Sequence, residues 1–166
     1  MQRTLHPAVE HGAAHRAITT VLALWQGGVR LLEALQPAAL LAARVYVGLA
    51  FFKSGLTKLA DWGTTLALFQ DEYHVPFLPT NVAAVMGTAG ELVLPVLLVL
   101  GLAGRFGALG LSVVNVVAVL SLAEIAPAAL GEHHLWGVLL AMVVLWGPGK
   151  WSVDAALWPR IRDRFL

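Results

Sequence analysis

The sequence predicts an all-α, polytopic membrane protein: an antiparallel four-transmembrane-helix bundle with an N-terminal amphipathic interfacial helix. Composition is the first observation, because 58% of the 166 residues are hydrophobic and only 13% are charged. Soluble domains carry about 25% charged residues. The mean hydropathy of +0.76 is the second. The third is that four segments approach the length of about 20 apolar residues that a spanning helix needs.

Net charge and cysteine content exclude several functions. The formal net charge is +1 and no basic stripe is present, which argues against a nucleic-acid partner. The chain has no cysteine, so a disulfide scaffold, a thiolate metal site and thiol exchange by this chain itself are excluded. Gly-rich phosphate loops, a nucleophile elbow and an HExxH motif are absent from the sequence. No catalytic residue is therefore assigned.

The segment before the first span divides into two parts. Residues 1–16 are expected to form a loose tail. Residues 17–36 carry apolar side chains at helical spacing from Ile18 to Leu35, with polar side chains on the opposite face. This pattern indicates an amphipathic helix lying on the cytoplasmic leaflet. A signal peptide is the alternative interpretation, since residues 17–25 form a short apolar run after basic residues.

The four spans and their connections make residues 37–150 one bundle. Pro37 is placed to start the first helix, a short GLAGR turn joins the second and third spans, and GPGKW closes the fourth. Short connections make neighbouring helices antiparallel. Residues 151–166 are expected to be a basic cytoplasmic tail. The predicted spans are about 38–59, 81–102, 105–122 and 134–147.

The basic residues predict the orientation of the bundle. Nine of the eleven Lys and Arg residues lie before the first span, between the second and third, or after the fourth, with Arg44 just inside the first span. Cytoplasmic loops carry the excess of Lys and Arg. Both termini are therefore expected in the cytoplasm, and the connections between spans one and two and between spans three and four are expected outside.

Polar side chains within the spans mark a candidate site. Glu91 lies in an otherwise apolar run, where an unpaired carboxylate is costly. Pro95, four residues later, has no N–H to donate to the backbone carbonyl of Glu91. Spacings of three and four residues put Arg44 and Lys58 on one glycine-containing stripe, and put Glu91 on a small-residue face of the next span. An ion pair that only holds two helices in register is the alternative. We expect a ligand-binding or buried polar cluster made of Arg44, Lys58, Glu91 and Asn115.

The outer connections contain His74, His133 and His134 together with several carboxylates. Two histidines and a carboxylate can hold a divalent metal. However, neighbouring histidines on a helix point in different directions, and these ligands would come from two separate connections. A hydrated loop is the preferred interpretation, so no metal ligand is assigned.

Four stretches carry a family resemblance: ARVYVGLAFFKSGLTKLADW, VPFLP, GELVLPVLLVLGLAGRFGAL and GPGKWSVDAAL. In this order they resemble the DoxX family of small bacterial membrane proteins, over about residues 40–160. The resemblance implies a four-helix protein of the bacterial inner membrane. The matching positions are Arg44, Gly48, Phe51, Gly55, Lys58, Pro76, Gly90, Glu91, Gly101, Arg105, Gly147, Gly149 and Asp154.

The resemblance also implies a redox setting, a quinone as cofactor and a partner protein, because family members serve in quinone-linked and oxidative-stress systems. The first hypothesis is a membrane subunit of an oxidoreductase that binds a quinone or lipid near Glu91 and is not catalytic alone. The second is a non-enzymatic scaffold or accessory protein for a partner complex, in metal or oxidative-stress handling. A small-solute carrier is the third. Membrane lipid and a second copy of the chain are further expected partners.

Overall fold

A computed structural model describes residues 8–165, with side chains from residue 15 to residue 163. Within this range the chain has helices and no strand, apart from an isolated bridge between Tyr73 and Leu122. The predicted all-α class is confirmed. The helices are α1 (Ala8–Ala60), α2 (Trp62–Asp71), α3 (Thr80–Leu100), α4 (Gly104–Ser121), α5 (Pro127–Trp146) and α6 (Val153–Phe165).

The chain divides into two compact units between Gln36 and Pro37. In the first unit, helix α1 already begins at Ala8, inside the segment for which the sequence predicts a loose tail. Residues 1–7 of that predicted tail lie outside the described residues. The large apolar side chains from Ile18 to Leu35 are exposed, except that of Val29, which is half-buried. The predicted position of this helix on a membrane surface stays a prediction.

The second unit holds the membrane-spanning bundle. Helices α3, α4 and α5 are long and apolar enough to cross a membrane, and so is α1 from His15 to Ala60, a segment that begins in the first unit. Pro37 lies inside α1 and does not start a helix, contrary to the prediction. Helices α3 and α4 begin and end within two residues of their predicted bounds. Helix α5 begins at Pro127, seven residues before its prediction, because a proline at the first helical position is followed by good helix formers. His133 and His134 therefore lie on a helix and not in a loop.

Helix α2 occupies part of the connection that the sequence assigns to an outer loop. The Asp61 side chain caps it, accepting hydrogen bonds from the Thr64 backbone N–H at 3.0 Å and from Thr64 Oγ1 at 2.6 Å. These hydrogen bonds, the one from the Thr64 side chain first, lower the pKa of Asp61 below its ordinary value. On the inner side of α2, Phe69 packs against Ala83 and Ala84 of α3. This contact holds α2 against the bundle.

The core of the second unit brings together side chains from all four spanning helices. Because lipid tails are as apolar as leucine, close packing and not the hydrophobic effect associates such helices. Glycines permit this packing, as at Gly107, where an added Cβ would lie 3.1 Å from the backbone nitrogen of Leu98. The buried core residues are Val47, Phe51, Leu98, Ala108, Leu111, Leu140 and Val143.

The turn between α3 and α4 is fixed by a residue from the C-terminal segment. Gly101 has a φ of 64°, which favours glycine. The carboxylate of Asp154 accepts hydrogen bonds from the backbone N–H groups of Ala103 and Gly104, both at 2.8 Å, and so caps α4. The Asp154 N–H in turn donates to the Gly101 carbonyl at 2.9 Å. Part of the predicted C-terminal tail is thus helix α6, and its start is joined to the bundle.

Candidate functional site

Lys58 and Glu91 form an ion pair between α1 and α3. Lys58 Nζ lies 2.6 Å from Glu91 Oε2 and donates a second hydrogen bond to Ser54 Oγ at 2.8 Å. The two side chains are 13% and 10% exposed. The sequence leaves open whether Arg44 or Lys58 pairs with Glu91, and the structure assigns that place to Lys58.

The ion pair forms where Gly55 lets α1 approach α3. A Cβ built at Gly55 would lie 3.1 Å from Glu91 Cβ and 2.9 Å from Leu92 Cδ2, so the missing side chain is what permits this separation. Lys58 follows Gly55 by three residues and therefore lies on the same face of α1. The predicted glycine-containing stripe faces α3, as expected.

A cavity of about 430 Å³ lies beside the ion pair, between α2, α3, α4 and the connection that follows α2. Ligand pockets of this kind are about 300–1,000 Å³, mostly apolar, with few polar groups. The other lining residues that the structure describes are apolar, glycine or proline. The polar residues of the lining are Lys58, Tyr73, Glu91 and Ser121.

The connection of residues 73–78 forms one wall of the cavity and is fastened to α4. The His74 N–H donates to the Ser121 carbonyl at 2.9 Å, and the Tyr73 ring stacks on Phe69 with 5.1 Å between ring centroids. Burial raises the pKa of Tyr73, and the negative charges of Glu91 and Glu72 raise it further. The Tyr73 hydroxyl is therefore a neutral hydrogen-bond donor near pH 7.

Arg44 lies apart from Glu91, at the other end of the bundle. Its side chain is fully buried. The guanidinium donates to the Leu98 carbonyl at 3.4 Å and to the Trp151 carbonyl. Arg44 thus binds carbonyls at the end of α3 and after α5, which makes it a link between helix ends and not a partner of the ion pair.

Asn115 lies on α4 and pairs with His133 on α5. The Asn115 Nδ2 donates to the His133 carbonyl at 2.9 Å, and His133 Nδ1 lies 2.7 Å from Asn115 Oδ1. The His133 ring also contacts Trp136 edge-on, with centroids 4.9 Å apart. Neither Lys58 nor Glu91 has a hydrogen bond with this pair. The four predicted site residues are all largely buried, but they occupy three separate places.

The outer histidines are dispersed. His74 Nδ1 lies 3.2 Å from the Glu72 carbonyl, His133 is paired with Asn115, and His134 is exposed. Among the described residues, no group of three histidines, aspartates or glutamates is placed to hold a metal ion.

Sequence reasoning missed the part that the 73–78 connection plays in the site. The sequence did contain a signal for this role, because the stretch VPFLP, with Pro76 and Pro79, is unusually apolar for a loop. An apolar loop at a membrane surface needs something to pack against, and here Tyr73, Val75 and Leu78 line the cavity.

The fold and the site define an α-helical, multi-pass membrane protein with a buried ion pair in the wall of an apolar cavity. The DoxX family model matches residues 39–124, which is more than half of the chain. The chain therefore belongs to the DoxX family, and the resemblance seen in the sequence is confirmed. The match includes Lys58, Glu91 and every residue that lines the cavity. No curated protein and no solved structure matches the chain.

Proposed function

We propose that this protein is an integral membrane subunit of a redox system in the bacterial inner membrane, and that it binds a quinone or another lipid beside Glu91. A partner protein supplies the redox centre. The observation that carries the proposal is the Lys58–Glu91 ion pair in the wall of a mostly apolar cavity of about 430 Å³. Ionisable side chains inside a membrane are costly, so a functional role is their default interpretation.

The residues of the cavity fit a quinone. The Lys58 ammonium and the Tyr73 hydroxyl can donate hydrogen bonds to a quinone carbonyl, and the apolar walls suit a ring and an isoprenoid tail. Reduction of a quinone at this site would require two electrons and two protons. Glu91 is the group in the cavity wall that can hold and pass on a proton. In this proposal the electrons come from the partner protein, and the chain has no cysteine whose thiol could supply them.

The variant Glu91→Gln tests this function. Glutamine keeps the size of the side chain but cannot carry the charge or pass on a proton. We expect a folded protein that loses the quinone retained by the wild type through gentle purification, measured by extraction and mass spectrometry. Glu124→Gln, at an exposed glutamate outside the cavity lining, is the control. Equal quinone content in wild type and Glu91→Gln contradicts the proposal.

The alternative function is a non-enzymatic scaffold. It is favoured by the exposed apolar side chains of the first unit, such as Leu24 and Trp25, which are 72% and 71% exposed. In that case Glu91→Gln lowers the melting temperature without changing any ligand content. Leu24→Glu would then prevent co-purification of the partner, whereas under the first function it would leave the bound quinone in place.

A further inference from the structure

We propose that the cavity opens sideways into the bilayer, between α3 and α4, and that it loads from the membrane. Its ligand is an amphiphile dissolved in the bilayer, with a hydrogen-bond-accepting head group and an apolar tail. This inference rests on the proposed function and deepens it, because it assigns the class of ligand and the side from which the ligand enters.

The rim of the cavity is formed by side chains that both line it and are exposed. Met86 of α3 is 58% exposed and Val113 of α4 is 57% exposed, and both line the cavity. Each lies on a helix long and apolar enough to span the membrane. Above them Phe77, also in the lining, is fully exposed and has a φ of 66° that turns the chain at this point. The opening therefore faces the lipid side of two spanning helices.

The connection on the water side is held across the top of the cavity. Backbone pairing fixes it to the end of α4, through the His74–Ser121 hydrogen bond and the bridge between Tyr73 and Leu122. The Phe69 ring stacks against the Tyr73 ring. A ligand coming from water would have to displace these contacts, whereas a ligand coming from the bilayer meets only the side chains at the rim.

A second cavity marks the competing route. It has a volume of about 340 Å³ and adjoins the first cavity, since the two share Phe69, Tyr73, Val75, Pro76, Leu78 and Ala83. Its lining differs by Gln70, His74 and Thr80, and it lacks both members of the ion pair. These polar residues belong to the outer connection and to the adjoining helix ends. Entry from water would pass here, so a bulky side chain at Gln70 tests this route separately.

The chemistry of the rim selects the ligand. A charged, water-soluble molecule would lose its hydration against Met86 and Val113 before reaching Lys58. An amphiphile keeps its tail among the acyl chains while its head group enters, so the cavity has to enclose the head group alone. At its inner end the head group meets the ammonium and carboxylate of the ion pair, which fix its orientation.

The test uses the full chain in phospholipid vesicles that contain a photoactivatable benzoquinone with a decyl tail. The window variants are Val113→Trp and Met86→Trp. Their matched controls are Val116→Trp and Val85→Trp, at residues of similar exposure on the same two helices but outside the lining. Gln70→Trp tests the water-side cavity. The yield of crosslinked protein after a light flash is measured at limiting quinone, and the melting temperature of each variant shows that it is folded.

We expect the window variants to crosslink about tenfold less than their controls, because an indole at the rim would occupy the opening, and a tenfold loss corresponds to about 1.4 kcal/mol. Gln70→Trp is expected to crosslink like the wild type. Loss of crosslinking in Gln70→Trp with full yield in the window variants overturns the inference and assigns entry from water. Equal yields in all five variants also overturn it.

The proposed function fails in a different way. If Glu91→Gln loses crosslinking but the window variants do not, the lateral opening is wrong and the site stands. If Glu91→Gln crosslinks as well as the wild type, or the wild type does not crosslink, the proposed function fails and this inference with it.

Discussion

At the level of single residues, Glu91 is balanced by one cation whose position depends on a neighbouring glycine. Lys58 reaches Glu91 because Gly55 lets α1 lie close to α3, and Ser54 Oγ accepts a second hydrogen bond from the Lys58 ammonium. The sequence predicted both charged residues from their spacing. It could not choose between Lys58 and Arg44, because the choice depends on how far α1 is shifted along α3. That shift is set by packing at the glycines and not by periodicity.

The pair can be separated into its structural and its binding contribution. Lys58→Met should destabilise the protein by on the order of 3 kcal/mol, because it leaves a buried carboxylate without its partner. Lys58→Met combined with Glu91→Met should recover most of that stability, since two apolar side chains replace the ion pair. Thermal unfolding in detergent measures both, with Lys53→Met at an exposed position as the control.

Quinone content is then compared in the same proteins. The double variant should be stable and contain no quinone. A double variant that retains the wild-type amount would mean that the ion pair only joins α1 to α3.

At the level of helices, the long apolar elements were predictable and the short or polar ones were not. Hydropathy located α3 and α4 closely, because it detects contact with lipid. It missed α2 and α6 and the first turns of α5, where polar residues such as Glu132 and His133 lie on a helix without making it apolar. The Asn115–His133 pair was missed for the same reason, since its second member was assigned to a loop.

The cap of α4 is a testable link between distant elements. Asp154→Ala removes the acceptor of both the Ala103 and the Gly104 N–H groups, and should lower the free energy of unfolding by about 1–2 kcal/mol. Asp163→Ala, at a side chain that is 71% exposed, is the control and should have little effect. Thermal unfolding of the two variants in the same detergent compares them. Equal melting temperatures would show that the cap contributes nothing measurable.

At the level of the whole molecule, the distribution of charge predicts which end of the bundle faces the cytoplasm. Most basic residues, among them Arg44, Arg105 and Lys150, lie at the end of the bundle that contains the turn between α3 and α4. The cavity and the connection of residues 73–78 are at the other end. By the positive-inside rule we expect the cavity to lie in the outer half of the membrane. A quinone-reducing partner would then meet the protein at its outer end.

Single cysteines test this orientation without background, because the chain has none of its own. In spheroplasts of a bacterial host, a membrane-impermeant maleimide should label His74→Cys. It should label Lys150→Cys only after the membrane is permeabilised. Labelling in the opposite order would reverse the orientation, and with it the side at which a partner protein is sought.

The acceptor that completes the start of α4 is made late in biosynthesis. Asp154 follows Gly104 by 50 residues, and ribosomes add about 5–20 residues per second. During cotranslational insertion, the hairpin of α3 and α4 is therefore expected to exist for several seconds before Asp154 is made. In that time the N–H groups of Ala103 and Gly104 would be solvated by water or lipid phosphates. Ribosomes stalled before codon 154 should hold that hairpin in a looser form, which we expect to be cleaved by membrane proteases faster than the finished protein.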